Sequence, residues 1–397
     1  MESTIALPIV IAGAGVGGLA AAIALAQKGR RVLVLEQAEE IRPIGYGIQL
    51  GPNAFRMFEH LDMADAVKSR CSFPEAGVMR DIFTLEEVTR LPFGDAIQAR
   101  FGQPYAVIHR TDLHAALLER CAQFEEIELR AGARLRGYEQ LPDRVRVQAG
   151  SGPALDAEFL VGADGVHSTV RGQLCGTENS PRRLGYVAYR AVVERADFPE
   201  DLYENRVVLW AGPGFHFMTY PLHGGERFNI VAVFRSRRHP LGLPGAGEPE
   251  ELREIFAGVH PHARRLLGFV DTSRHWDIGV MEPVPAWHDG RVALLGDAAH
   301  AMLQALAQGA CQAIEDGVAL AECLDAKPQD PVQALADYQR VRQPRAVRVQ
   351  YESRLYWEVY HAAGPYADLR RQMLTRSDEA ALESLAWLYD PVPVEAG

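Results

Sequence analysis

The segment Leu7-Pro8-Ile9-Val10-Ile11-Ala12-Gly13-Ala14-Gly15-Val16-Gly17-Gly18 decides the fold. Its first half is a short, continuously apolar run closed by glycine, the pattern of a strand buried on both faces of a parallel sheet. Gly17 to Gln27 is rich in alanine and leucine and predicts a helix, with Gly29 placed to end it. Val32-Leu33-Val34-Leu35 then predicts a second strand that stops at Glu36. A right-handed crossover makes the two strands parallel neighbours. Gly13, Gly15 and Gly18 satisfy G-x-G-x-x-G between strand and helix. The first glycine permits the tight turn, the second lets backbone N–H groups approach a pyrophosphate at the positive helix end, and the third permits close helix–strand packing. Glu36, about 20 residues on, is placed to accept hydrogen bonds from ribose hydroxyls. A merely structural glycine turn has no use for that terminal acid, so the unit predicts dinucleotide binding. The acid argues against a 2′-phosphate here and does not distinguish FAD from NAD.

Two further strand-end motifs lie downstream. Residues 157–163 form an apolar strand leading into Val161-Gly162-Ala163-Asp164-Gly165-Val166-His167-Ser168-Thr169-Val170-Arg171. Arg291-Val292-Ala293-Leu294-Leu295 leads into Gly296-Asp297-Ala298-Ala299-His300. An Asp at such a turn can face a ribityl or ribose hydroxyl, and the next helix N-terminus can face a phosphate. Between these motifs the texture changes. From about 183 to 282, alternating segments such as Val207-Val208-Leu209-Trp210 and Phe228 to Phe234 predict an antiparallel sheet, with Pro240 to Glu251 as a loop. A helix is predicted from Asp112 to Arg120 with Thr111 or Asp112 as N-cap. Residues 331–362 read as helical, capped by Asp330, with Pro344 expected to kink or restart the helix.

Composition removes several function classes. The 397 residues carry a formal net charge of −11, and Lys28, Lys68 and Lys327 are the only lysines. The arginines are interleaved with acids, so no basic stripe tracks a phosphate backbone, which argues against nucleic acid as a partner. No apolar run approaches the roughly 18 residues of a membrane span, and the apolar start lacks the basic n-region of a signal peptide. Cys71, Cys121, Cys175, Cys311 and Cys323 are odd in number and widely spaced. That rejects a disulfide framework and a CxxC zinc site, and predicts a cytoplasmic protein. His260-Pro261-His262 is half a metal site with no third ligand in view, and reads as a surface loop. No metal is expected. There is no G-x-S-x-G elbow, Walker loop or HExxH.

Taken together, the three motifs in this order resemble the single-component flavoprotein aromatic hydroxylases, the fold group of para-hydroxybenzoate hydroxylase and salicylate hydroxylase. Gly45-Tyr46-Gly47-Ile48-Gln49-Leu50-Gly51-Pro52-Asn53 and His109-Arg110-Thr111-Asp112-Leu113 add to the match, which covers residues 5 to 360. The resemblance implies an α/β fold: a Rossmann-type FAD-binding domain from 1–72, 99–182 and 283–340, interrupted by a β-rich substrate domain from 73–98 and 183–282. Residues 341–397 follow as a C-terminal helical segment. It implies a tightly held FAD and a transient NADH, with NADPH as the alternative, and leaves a homodimer open. By the same resemblance Gly13, Gly15 and Val16 lie at the pyrophosphate and Glu36 at the adenosine ribose. Gln49 and Arg110 approach the ribityl or phosphate region, Asp297 the ribityl or pyrophosphate part, and Gly309 and Ala310 the isoalloxazine. Asp164 belongs to the motif associated with both FAD and the visiting pyridine nucleotide. Tyr46 departs from the alanine common in relatives beside the moving flavin ring.

The substrate is read from two places. Phe215 to Leu222 predicts a strand whose alternation puts His216, Met218 and Tyr220 on one face. Gln304 stands where the generic pattern has proline. The combination resembles 3-hydroxybenzoate 6-hydroxylases, whereas salicylate 1-hydroxylases carry proline at that position. It implies a small aromatic carboxylate and O2 as substrates, and gentisate as product by way of a flavin C4a-hydroperoxide. A phenol ionises near pH 10, so the pocket must favour the phenolate. His216 is expected to take the proton, Gln304 to donate to the oxygen, and Tyr220 to orient the ring through its carboxylate. Decarboxylating salicylate hydroxylation, an NAD-dependent dehydrogenase and a non-catalytic flavin protein are the competing readings.

Overall fold

Ile9–Ala12 lies between Phe159–Gly162 and Val32–Leu35, parallel to both, at the centre of a six-stranded sheet. The computed structural model describes residues 7–41, 45–176, 181–241 and 244–391. Ile127–Arg130 extends the sheet in parallel beyond Val32–Leu35, and Val292–Leu294 does so beyond Phe159–Gly162. The short strand His288–Asp289 closes one edge in antiparallel fashion. Every residue of the three central strands is buried, because helices cover the sheet. The Val16–Gln27 helix crosses the Gly309–Ala326 helix at close range. Gly317 makes that possible, since a Cβ there would stand 2.7 Å from the backbone nitrogen of Ala21.

A seven-stranded sheet forms the second layer. Its order is Asp271–Val280, Arg182–Glu194, Arg227–Arg235, Phe215–Leu222, Val207–Gly212, Ala76–Asp81 and Glu87–Pro92. The sequence predicts an antiparallel sheet from 183 to 282. The last two strands of the observed sheet come from the 73–98 segment assigned to the same domain, and the Val207–Gly212 pairing with Ala76–Asp81 is parallel rather than antiparallel. On one face Phe215, Phe217, Trp210 and Phe228 pack under the helices Pro249–Ile255 and Pro261–Leu267. Each such aromatic ring contributes roughly 1.5–3 kcal/mol by leaving water. The opposite face of the Phe215–Leu222 strand carries His216, Met218 and Tyr220 towards the first layer.

Four local expectations need correction. The helix expected from Asp112 starts two residues earlier, as Arg110–Cys121, with His109 at the N-cap. Thr111 and Asp112 cannot cap it because their side chains bond His109 and His223 instead. The loop expected from Pro240 to Glu251 contains the start of the Pro249–Ile255 helix, while 242–243 lie outside the described residues. The Pro331–Tyr360 helix runs through Pro344 without interruption, because Arg342 and Arg345 anchor it on either side to Glu315. His260 is not in a surface loop: its Nδ1 accepts from the His262 amide and caps the Pro261–Leu267 helix. No group of metal-ligating residues occurs among the described residues, and no described helix is long and apolar enough to cross a membrane.

Candidate active site

The glycine loop leaves a cradle of backbone at the head of the first helix. Gly13 has φ +111°, and a Cβ there would lie 2.3 Å from the Ala163 carbonyl oxygen. At Gly18 a Cβ would meet the Gly13 carbonyl at 2.0 Å, so both positions demand glycine for packing. Gly15 differs. Among the described residues nothing lies within 4 Å of a Cβ built on it, and no side chain caps the helix it starts. Helix N-terminal amides without a cap facing open space beside Val16 are the donor set a pyrophosphate requires. Glu36 accepts from the amides of Ala14 and Ala38 at 3.0 Å each, which fixes its carboxylate beside that cradle. A carboxylate has further lone pairs to offer, so ribose hydroxyls can still be accepted. The residues present fit a dinucleotide.

The two Asp motifs diverge. Asp164 spends its carboxylate on its own turn, accepting from Ser168 Oγ at 2.5 Å and from the Thr169 and Val170 amides at 2.7 and 3.2 Å. Asp297 is exposed and lines a cavity of about 270 Å³ with Arg110, Gly309 and Ala310. Gly309 begins a helix whose N-cap, Gln308, supplies no side-chain cap, so its first amides also face this cavity. Below it lies a buried polar network. Arg342 donates to Glu315 and Asp316 at 2.5 and 2.8 Å, Arg345 to Glu315 at 2.7 Å, and His300 Nε2 lies 2.5 Å from Asp316. Burial alone would raise both acids, but the guanidinium groups and His300 override it and hold each at about 2.

The far wall of the same cavity holds His216, Met218, Tyr220 and Gln304. His216 is 3% exposed, and its Nδ1 lies 2.8 Å from Nε2 of His361. Burial pushes its pKa well below the usual histidine range, with His361 adding in the same direction. Tyr220 is buried against Gly47, where burial raises the phenol and Arg190 works against that rise. The carboxamide oxygen of Gln304 accepts from Arg190 Nη2 at 3.2 Å. Gln49 is drawn to this wall, accepting from the Tyr105 hydroxyl and donating to Met218 Sδ at 3.0 Å. Tyr46 is held edge-on to Trp276 at 5.2 Å, with Arg190 at 5.3 Å from its ring.

A second, more apolar cavity of about 170 Å³ shares Gln49, Met218, Ala307 and Tyr360 with the first and reaches Leu385 near the C-terminus. Sequence reasoning missed Arg190, Tyr105, Tyr360, His361 and this C-terminal wall. For Arg190 a signal exists: it is a lone charge inside the apolar strand Gly185-Tyr186-Val187-Ala188-Tyr189-Arg190-Ala191-Val192-Val193. Charges in such strands need a reason.

Known proteins are similar to this chain in sequence and in fold. Residues 6–353 match the family model described as FAD binding domain. The chain is 43% identical over 384 residues to 3-hydroxybenzoate 6-hydroxylase of Polaromonas naphthalenivorans, covering 96% of each. It is 40% identical over 381 residues to the enzyme of the same name from Klebsiella oxytoca, again covering 96% of each. Among solved structures, Klebsiella pneumoniae HpxO complexed with FAD and uric acid superposes with a TM-score of 0.85 at 26% identity, covering 98% of both chains. The chain belongs to the FAD-binding domain family and, within it, to the flavin-dependent aromatic hydroxylases.

Proposed function

We propose that this enzyme converts 3-hydroxybenzoate to 2,5-dihydroxybenzoate (gentisate), using NADH and O2. The observation that carries the reading is the convergence of His216, Tyr220 and Gln304 on one cavity beside the Gly309 helix N-terminus. Relatives named 3-hydroxybenzoate 6-hydroxylase at 40–43% identity support the same substrate.

FAD, when bound, would supply the redox chemistry that makes one atom of O2 electrophilic. One oxygen atom enters the ring, the other leaves as water, and NADH provides the two electrons. The protein must then present an electron-rich ring in a fixed orientation. His216 and the Gln304 amide hold the phenolic oxygen as the phenolate, which enriches the ortho and para carbons. Tyr220, a neutral phenol at physiological pH, hydrogen-bonds the substrate carboxylate, and Arg190 adds positive charge to that cavity. The carbon para to the hydroxyl is the one gentisate carries oxidised. Gly13, Gly15, Val16 and Glu36 would hold the adenosine diphosphate part of FAD, and Asp297, Gly309 and Ala310 the flavin part.

A panel of hydroxybenzoates scored for NADH oxidation, with product identification, tests the reading. Gentisate from 3-hydroxybenzoate at near one-to-one stoichiometry with NADH is expected. Catechol and CO2 from salicylate, or no substrate-stimulated NADH oxidation with any hydroxybenzoate, would overturn it.

A further inference from the structure

His216 does not end the hydrogen-bond chain to which it belongs. Its Nδ1 meets Nε2 of His361, the residue capping the C-terminus of the Pro331–Tyr360 helix. That leaves Nε2 of His216 as the ring nitrogen available to the cavity. The His361 ring is stacked on Tyr186 at 5.0 Å and meets Trp357 edge-on at 5.1 Å. Its carbonyl accepts from the Gly214 amide at 3.3 Å, in the turn immediately before the His216 strand. The imidazole is therefore fixed in place and orientation.

Behind it stands a buried cation. Arg370, 5% exposed on the Pro365–Leu374 helix, donates from Nη1 to the Tyr360 carbonyl at 3.2 Å. Among the described residues, neither His361 Nδ1 nor Arg370 Nε, both buried, has a hydrogen-bond partner. Two neutral imidazoles sharing one hydrogen bond have two arrangements. If His361 accepted at Nε2, its Nδ1 would carry an orphaned buried N–H on an imidazole that already feels the positive charge of Arg370. If His361 donates from Nε2, its Nδ1 is a lone pair in that positive field. Orphaned buried N–H groups are the rarer and costlier defect, so the second arrangement prevails.

We propose that His361, biased by Arg370, is a positioning residue that holds His216 as the Nε2–H tautomer, so that His216 donates a hydrogen bond to a phenolate oxygen. This deepens the reading above and rests on it for the identity of the ligand. The phenol O–H bond breaks with its electron pair left on oxygen, and the proton goes to water as the ligand enters; His216 keeps its single proton on Nε2 throughout. Burial supports this division of labour. It depresses His216 well below the usual histidine range and His361 to about 3, with Arg370 adding to the latter, so neither retains a proton given up by a phenol. Among the described residues the titratable groups around the pair include Tyr186 and Tyr360, with Asp81 and Arg371 acting on Arg370, and Glu358 and Arg235 on Tyr186.

Nitrogen-15 NMR of the histidine-labelled holoenzyme tests the proposal directly, with the His216 signals identified by their loss in His216→Gln. The expected result is a protonated Nε2 and a bare Nδ1, with and without 3-hydroxybenzoate. A protonated Nδ1, or an imidazolium on ligand addition, overturns it. Ligand difference spectra provide the second arm. His361→Leu should raise the pH at which bound 3-hydroxybenzoate ionises by roughly one to two units, a ten- to hundredfold weaker preference for phenolate. His361→Gln, whose amide can still donate to Nδ1, should restore it. Wild-type ionisation in His361→Leu overturns the proposal. If the wild-type enzyme binds no hydroxybenzoate, the substrate reading fails, while the tautomer in the ligand-free holoenzyme still decides the role of His361.

Discussion

Arg190 Nη2 donates to the carboxamide oxygen of Gln304 at 3.2 Å, across 114 residues of sequence. That bond gives the amide a direction: its oxygen is spent on the cation, and its NH2 is left to donate to a ligand. Arg190 itself is wedged against the rings of Tyr46 and Trp276, at 5.3 and 5.9 Å. A residue that tells the amide which way to face is as necessary as the amide.

Arg190→Leu should therefore behave as a lesion of Gln304 orientation. Charge-assisted hydrogen bonds contribute about 1.5–3 kcal/mol, so gentisate formation should fall roughly ten- to hundredfold. NADH consumption should fall less, with the difference recovered as hydrogen peroxide. The ratio of gentisate formed to NADH consumed is the deciding measurement. An unchanged ratio and rate would sink the assignment.

Gly15 and Gly13 separate cofactor binding from folding. A Cβ at Gly15 meets no atom of the described residues within 4 Å, and the backbone there is extended and open to any residue. Gly15→Val should lose most of its FAD while changing the unfolding free energy of the flavin-free protein by no more than about 0.5 kcal/mol. Gly13→Ala combines φ +111° with a clash at the Ala163 carbonyl, and should cost on the order of 1–3 kcal/mol in backbone strain alone. Flavin absorbance and urea unfolding of both apoproteins read the contrast. Full flavin occupancy in Gly15→Val would place the pyrophosphate elsewhere.

What the sequence disclosed and what it concealed divide along physical lines. The Gly13 turn, the Gly18 packing and Glu36 are written within 30 residues, so local rules reach them. The shared face of His216 and Tyr220 follows from the two-residue period of a strand. Arg190, His361 and Arg370 join the site only through tertiary pairing, and His361 lies 145 residues from the histidine it contacts. No spacing rule connects a helix C-cap to a strand of another layer. The helix starts at Arg110 rather than Asp112 for a related reason: Thr111 and Asp112 look like caps until His109 and His223 claim their oxygens.

The buried acids beneath the cavity predict an acid-labile fold. Glu315 and Asp316 stay charged in the folded protein down to about pH 2, against ordinary values of 4.5 and 3.8. A depressed carboxylate contributes stability that is present above its unfolded pKa and lost as pH falls through the folded value. Urea midpoints should hold steady from pH 7 to about 5 and drop between about 4.5 and 2. Arg342→Met removes the one guanidinium shared by both charges, leaving Asp316 with His300 and Glu315 with Arg345, and should cost about 3–5 kcal/mol at pH 7. Part of that loss should be regained near pH 4, where acids deprived of Arg342 protonate more readily. A variant with the wild-type pH slope would show that the pair is not what the guanidinium stabilises.

Gly47 ties the flavin layer to the substrate sheet, and its replacement should report on Tyr220 alone. Its amide donates to Asn229 Oδ1 at 2.9 Å, which holds the Gly47–Leu50 strand against the seven-stranded sheet. A Cβ at this position would stand 2.4 Å from Tyr220 Cε2 and 2.8 Å from its hydroxyl oxygen. Gly47→Ala must therefore push the phenol out of line, since Gly47 forms part of the buried wall it rests on. If Tyr220 hydrogen-bonds the substrate carboxylate, Gly47→Ala and Tyr220→Phe should both raise KM for 3-hydroxybenzoate, by roughly three- to tenfold for a hydrogen bond of about 1 kcal/mol. The double variant should be little worse than either single one, because both remove the same contact. FAD content should stay near one per chain, as neither change touches the Gly15 cradle. Additive losses in the double variant, or an unchanged KM in Tyr220→Phe, would assign the carboxylate to Arg190 instead.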